Sequence, residues 1–164
     1  MQQDNYTVVN IRDYFPKDEG GVTREDVLRD TSSGFSCPLN KNVEKFLKEQ
    51  AIEFTKKNQS VTYLVFSKVD ATLAGYFSLA SKPIEVKSDI FSKTVQKKIS
   101  RVSEYNSEHQ IFHLSAYLIA QFGKNFKGNT NKIISGQELM ELAKGKIREL
   151  QYMLGGMVTF LEAE

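Results

Sequence analysis

One cysteine, three prolines, two histidines and no tryptophan are spread over 164 residues. A lone thiol, Cys37, excludes an internal disulfide and any multi-cysteine metal site. With neither histidine near it in sequence, it reads as a small buried or loop residue rather than a nucleophile. His109 and His113 fall on an expected strand, two pleats or about 13 Å apart, too far to share a metal. No metal is therefore expected. No apolar run approaches about 18 residues. The opening Met1 to Asn5 lacks the basic-then-apolar order of a signal peptide, so a cytoplasmic protein with no membrane contact is expected. Charge of one sign is scarce too: 22 cations against 20 carboxylates leave a net +2. That balance does not by itself argue for nucleic acid.

What the chain does have is ordinary soluble composition, 40% apolar and 26% charged, at a length that suits one domain spanning residues 1–164 and burying about two thirds of its unfolded surface. The pattern is organised around Ser115 to Met140. Ser115 to Phe122 is a continuous apolar run of strand length, ended by Gly123, which reads as a strand covered on both faces. After a polar loop, Ser135 and Glu138 form a Ser-x-x-Glu capping box at the start of a helix. Leu139, Ala143, Ile147, Leu150 and Leu154 make its buried stripe, and Gly155-Gly156 predicts a left-handed C-terminal cap. Such a strand–loop–helix unit ends on unpaired N–H groups suited to phosphate, with Gly136 allowing close approach; most turns of this kind bind nothing. Met157 to Leu161 is a final strand, and the helical crossover makes it parallel to the central one, with right-handed connection.

Upstream, Tyr6 to Phe15 holds a first strand around Val8 to Ile11, and a charged loop runs from Lys17 to Arg29. Thr31 to Gly34 reads as loop. Helical spacing begins at Asn42, with Val43, Phe46, Leu47, Ala51 and Phe54 on one face. Ser60 to Phe66 and Leu73 to Ala80 are strands whose short connection makes them an antiparallel hairpin, the second ending at Lys82-Pro83. A helix from Ser88 to Val102 carries Phe91, Val95, Ile99 and Val102 inward. Lys93, Lys97 and Arg101 lie on another face, either as a solvated stripe or as a contact for acidic substrate or RNA phosphates. The long central strand is expected from His109 to Phe122.

Three segments together resemble the GNAT family of acetyl-CoA-dependent N-acetyltransferases, in its toxin-like branch. Gly34-Phe35-Ser36-Cys37 with Val43 to Leu47 and Ala51 is similar to that branch's opening. Ser60-Val61-Thr62-Tyr63 with Gly75 to Ala80 is similar to its Ser-x-Thr-Tyr and Gly-Tyr-Phe-Thr-Leu-Ala strands, and Leu118 to Asn125 to its fourth strand. The resemblance implies an α/β (α+β) fold: a mixed, mostly antiparallel sheet with helices on both faces and one parallel β-α-β pair splayed into a cofactor cleft. It implies acetyl-CoA as cosubstrate. The backbone of Phe122, Gly123 and Lys124 would hold the pantetheine arm and acetyl carbonyl, and N–H groups from Asn131, Lys132, Ile133, Ile134, Ser135 and Gly136 the pyrophosphate. The family's Gln/Arg-x-x-Gly-x-Gly/Ala keeps only its last glycine, Gly136. The sequence stops before the family's tyrosine-bearing helix and last two strands, which leaves the acid unassigned. Glu104, Glu108, His113 and Tyr117 are candidate bases.

The expected activity is acetyl transfer to a primary amine by direct attack, the acceptor being aminoacyl-tRNA, a peptide or a small amine. The alternative is a catalytically impaired CoA-binding or interaction module. An uncovered apolar edge on the last strand predicts a homodimer.

Overall fold

The apolar runs of the chain assemble into one six-stranded sheet in the computed structural model, which describes residues 5–16 and 20–161. In chain order the strands are β1 (Tyr6–Asn10), β2 (Val61–Ser67), β3 (Leu73–Lys87), β4 (Glu104–Asn106), β5 (Ile111–Lys124) and β6 (Val158–Leu161). Their spatial order is β1-β2-β3-β5-β4, with β6 also on β5. Every pairing is antiparallel except β5 with β6, which is parallel. This is the mixed, mostly antiparallel sheet that the sequence predicts.

Helices cover both faces, which is why the middle strands read as continuous apolar runs rather than as alternation. Helix α5 (Gly136–Leu154) lays Leu139, Leu142, Ala143 and Ile147 on Tyr63, Val65, Phe77 and Ile119. On the opposite face, α1 (Glu25–Ser33) and the helical stretch α2 (Lys41–Lys45), π turn (Phe46–Gln50) and α3 (Ala51–Lys56) bury Leu28, Val43, Phe46, Leu47 and Ile52 against Leu64 and Tyr76. Each such large side chain contributes about 1.5–3 kcal/mol by burial. A third cluster, Ile99, Phe112 and Leu114, seats α4 (Lys93–Ile99) on the far end of β5.

Several expectations are corrected. Residues 25–33, assigned to the charged loop and the Thr-Ser-Ser-Gly loop, are helix α1; residues 17–19 of that loop lie outside the described residues. Its inward stripe is Leu28 and the small Ser32, too sparse an apolar pattern to announce a helix. β3 does not stop at Lys82-Pro83 but continues to Lys87, with Pro83 opposite Ser115. β2 ends at Val61, opposite Leu79, so beyond it β3 is an edge among the described residues and proline removes no ladder bond there. The helix expected over Ser88 to Val102 is only α4, preceded by a single 3-10 turn at Ser88–Ile90. Val95 and Val102 are exposed. His109 lies in a turn that Gln110 closes with φ 53°, so it does not share a strand face with His113. Gly155 has φ 83° and ψ −161°, a glycine conformation but not the left-handed helical one.

Gly123 is where the second helical layer meets β5. A methyl group there would overlap Val43 Cγ1 and sit 3.3 Å from the Phe35 ring, whereas at Gly136 it would meet nothing within 4 Å. Gly123→Ala is therefore expected to cost about 1–3 kcal/mol and Gly136→Ala to stabilise by about 0.5–1 kcal/mol. Thermal melts of the two variants check the opposite signs, and equal shifts would refute the packing account.

Glu44 ties this layer to the loop before it. Its carboxylate accepts from Lys48 Nζ and from the Cys37 N–H, each at 2.8 Å. The Lys48 bond first, then the Cys37 N–H, hold its pKa down to about 2. A carboxyl depressed in the fold stabilises it fully above the ordinary glutamate value of about 4.3 and loses that contribution as pH falls toward the folded value. The Tm advantage of the wild type over Glu44→Gln should thus be full at neutral pH and shrink between about pH 4 and pH 2. A pH-independent difference would contradict it.

Candidate functional site

The outer edge of β5 is divided in three. β4 pairs with Ile111 to His113, β6 pairs with Ala116 to Ile119, and Ala120 to Lys124 have no strand on that side among the described residues. β6 is described to Leu161, opposite Ile119; residues 162–164 lie outside the described residues. At the junction β5 carries a bulge. Gln121 faces Ser78 and Ile119 faces Leu79, which leaves Ala120 as the extra residue. A bulge re-aims the strand just where its pairing with β6 stops.

Backbone direction on the open stretch follows from one hydrogen bond. Asn125 N–H donates to the Ala74 carbonyl at 2.9 Å, so Asn125 faces β3, and by antiparallel alternation Gly123 does as well. The Gly123 carbonyl does lie toward β3, 2.7 Å from where a Cβ on Gly75 would sit. Phe122 and Lys124 consequently turn their N–H and C=O groups to the open edge. Of the three backbone positions expected from sequence, these two are available and Gly123 belongs to the ladder.

Asn125 anchors the end of this strand. Its side chain is buried; Oδ1 accepts from the Ser36 and Lys127 N–H groups, both at 3.0 Å, while Nδ2 donates to the carbonyls of Leu73 at 2.9 Å and Gly34 at 3.3 Å. Both donors and both acceptor positions are used.

The loop to α5 brings together the remaining predicted residues. Asn131 and Lys132 lie in a 3-10 turn, Thr130–Lys132; Ile134 is buried as a floor; Ser135 is the N-cap and Gly136 the first helical residue. No residue from 129 to 136 has positive φ. The loop thus runs in conformations that isoleucine adopts as easily as glycine, and the eroded glycine pattern costs no strain. Three of the six expected N–H groups are committed: Lys132 to Asn129 O, Ile133 to Thr130 O and Ser135 to the Glu138 carboxylate. Those of Asn131, Ile134 and Gly136, with Gln137 one residue on, have no acceptor among the described residues.

The capping box is complete, with Glu138 N–H on Ser135 Oγ at 3.1 Å and Glu138 Oε2 on Ser135 N–H at 2.8 Å. The Ser135 backbone N–H, then its hydroxyl, hold the Glu138 carboxyl below the usual carboxylate range, helped by Tyr6 and Lys124. The Tyr6 hydroxyl donates to the Ile133 carbonyl at 2.9 Å and lies 3.4 Å from Glu138 Oε1. Burial, then Glu138, push its pKa up. Sequence reasoning placed Tyr6 and Asn125 in strand segments and gave neither a part in the site. It found the box but not its consequence, a fixed negative charge among the amides. A groove of about 550 Å³ runs between α5, β5 and β6, with Ile119, Met140, Ile147 and Phe160 among its lining residues and Lys144 and Arg148 on α5.

The candidate bases are not brought here. His113, paired with Glu104 in register and 3.1 Å from Glu85 Oε1 through Nδ1, lies nine residues from Phe122, about 30 Å along the strand. Glu108 is in the turn beyond it. Tyr117 is five residues away, and its hydroxyl donates to the Gly155 carbonyl at 2.5 Å. Among the described residues no three histidine, cysteine or carboxylate side chains gather as a metal set, and no helix is long and apolar enough to cross a membrane.

No protein-family model matches the sequence, and no curated protein does. Solved structures do. AtaT complexed with acetyl-methionyl-tRNAfMet superposes with a TM-score of 0.63 at 15% identity, over 97% of this chain and 78% of that one. A tyrosine-to-phenylalanine variant of KacT gives 0.63 at 20% identity over the same shares. AtaTR bound with acetyl-CoA gives 0.58 at 13% identity, over 98% and 76%. At such identities the likeness speaks for the fold alone: the sheet and helix order above is the GNAT-like architecture of these neighbours.

Proposed function

We propose that this chain transfers an acetyl group from acetyl-CoA to a primary amine, with aminoacyl-tRNA an acceptor class suggested by the fold neighbour solved with acetyl-methionyl-tRNAfMet. The observation that carries the reading is the end of β5. Phe122 and Lys124 turn backbone donors and acceptors to an edge free of any described strand, and the chain then runs through one loop and a 3-10 turn to a helix N-terminus. A pantetheine arm is an extended amide chain, and such an edge can bond it as a strand would be bonded. An outward N–H beside the thioester oxygen stabilises the negative charge that grows there as the amine attacks. The C–N bond forms, the C–S bond breaks, and the proton lost by the amine balances the one gained by the CoA sulfur. The pyrophosphate falls to the free N–H groups of Asn131, Ile134, Gly136 and Gln137, on the positive end of the α5 dipole. The groove lined by Met140 and Ile147 offers apolar surface nearby.

One observation favours a second reading, a module that binds CoA weakly and does not turn it over. Glu138 keeps its ionised carboxylate on the Ser135 N–H, where it competes with phosphate for donors and repels it.

A thiol-release assay with methionyl-tRNA and with small amines separates the two. Amine-dependent appearance of free CoA is the expected result; CoA binding in calorimetry without turnover favours the module, and absence of both defeats both readings. Glu138→Gln keeps a capping side chain and removes the charge, so CoA should bind several-fold tighter, on the order of the 1 kcal/mol that one charge exerts at a solvated site. Unchanged or weaker binding would take the phosphate away from this loop.

A further inference from the structure

We infer that the groove between α5 and β6 takes an acyl chain longer than acetyl, which makes a medium-chain acyl-CoA the donor. The inference rests on the acyl-transfer reading above and narrows its substrate class. An acetyl group has a single methyl beyond its carbonyl, whereas the groove holds about 550 Å³. Its direction follows from the packing of α5. Leu139 lies 3.1 Å from where a Cβ on Gly75 would sit, and Gly75 is opposite Lys124. The first turns of α5 therefore stand level with the open end of β5, and the helix runs back along the sheet from there to reach the parallel strand β6. Met140, Lys144, Ile147 and Gln151 line the groove at steps of three and four, one face of a helix, and span about 16 Å of its axis.

The far wall is β6. Thr159 and Leu161 pair with Tyr117 and Ile119, which belong to the core cluster beneath α5. Residues in register on neighbouring strands share a face, so both side chains stand on the α5 side. Phe122 and Met140 pack on that same cluster. The groove thus begins beside the open backbone edge and ends beside the paired strands. A pantetheine arm bonded to Phe122 and Lys124, with its pyrophosphate at the start of α5, points its thioester down this line. Whatever follows the acyl carbonyl lies against Ile119, Ile147 and Leu161.

The lining suits a hydrocarbon chain. Ile119 and Ile147 are buried in its floor, and Leu161 keeps 51% of its surface exposed, apolar area that a chain would cover. Met140 is half-buried, and its unbranched thioether adapts to apolar ligands of varied shape. Lys144 and Arg148 are exposed; side chains of this kind lay their methylene stems along an apolar wall and keep their charge in water. No carboxylate lines the groove among the described residues. An acetyl donor uses the backbone edge and leaves this surface wet, so its burial energy is open only to a longer chain. The transfer balances as for acetyl: the amine nitrogen bonds the acyl carbon, the C–S bond breaks, and the proton the amine loses balances the one the sulfur gains.

The test is calorimetry of the full chain with CoA, acetyl-CoA, hexanoyl-CoA and octanoyl-CoA, beside thiol release from the same esters. Each methylene added in apolar contact should tighten binding about two- to fourfold. Octanoyl-CoA should therefore bind at least about tenfold more tightly than acetyl-CoA, whereas acetyl-CoA and CoA should differ little. Thr159→Trp fills the groove from an exposed position and should bring the octanoyl-to-acetyl affinity ratio close to unity. Tyr152→Ala, on the same helix but off the groove and 92% exposed, should leave the ratio as it is. Circular dichroism melts establish that each variant is folded, and the chain-length series in the wild type decides the matter by itself should Thr159→Trp fail to fold. CoA binding that does not change with chain length overturns the inference and leaves the transferase reading standing. A gain that survives in folded Thr159→Trp also overturns it, since the chain then binds elsewhere. A wild type that binds neither CoA nor any ester sinks the transferase reading, and this inference with it.

Discussion

One buried amide side chain decides the geometry on which the rest depends. Asn125 joins the end of β5 to the start of β3 through Leu73, to the loop after α1 through Gly34 and Ser36, and to the loop leading to α5 through Lys127. Satisfied on all sides, such a group is strongly specifying; with any partner lost it becomes a buried unpaired polar atom. It thereby sets the direction in which Lys124 leaves the sheet, and hence which backbone groups face the open edge. The backbone bond from Asn125 to Ala74 fixes the alternation, and the bulge at Ala120 fixes where pairing with β6 gives way.

Two economies of charge appear on the same molecule. On α2 with its π turn, and on α5, lysines and glutamates are spaced to cancel one another. Around α4 they are not, and at the start of α5 the imbalance is reversed, with Glu138 standing among donors suited to an anion. Exposed cancelling pairs contribute little to stability, so their main effect is to leave the two unbalanced places as the distinctive features of the surface field.

The central strand, the crossover helix and the parallel final strand were legible because length, continuous apolarity and the Ser-x-x-Glu box all pointed the same way. Helix α1 was not, since Leu28 and Ser32 supply too few apolar positions to mark a period. Pro83 misled for a different reason: a proline ends a central strand, and nothing local reveals that β2 has already stopped four residues earlier. In the candidate site, Phe122, Lys124 and Gly136 are among the expected positions whose outward backbone groups have no partner among the described residues. The division of amides into free and committed was invisible, because it depends on Asn129 and Thr130 folding back in a 3-10 turn. Glu104, Glu108, His113 and Tyr117 do lie on or beside the central strand, but closeness along a chain says nothing about distance along an extended strand.

The long outer half of β3 has a consequence for how copies of this protein meet. From Ala80 to Lys87 it has, among the described residues, no strand on its outer side, yet Pro83 withholds a donor midway, and the ionic side chains of Glu85 and Lys87 flank it in solvent. Such an edge resists being used as a template for growth into larger sheets, so crowding of the folded protein should not seed fibrils from this arm.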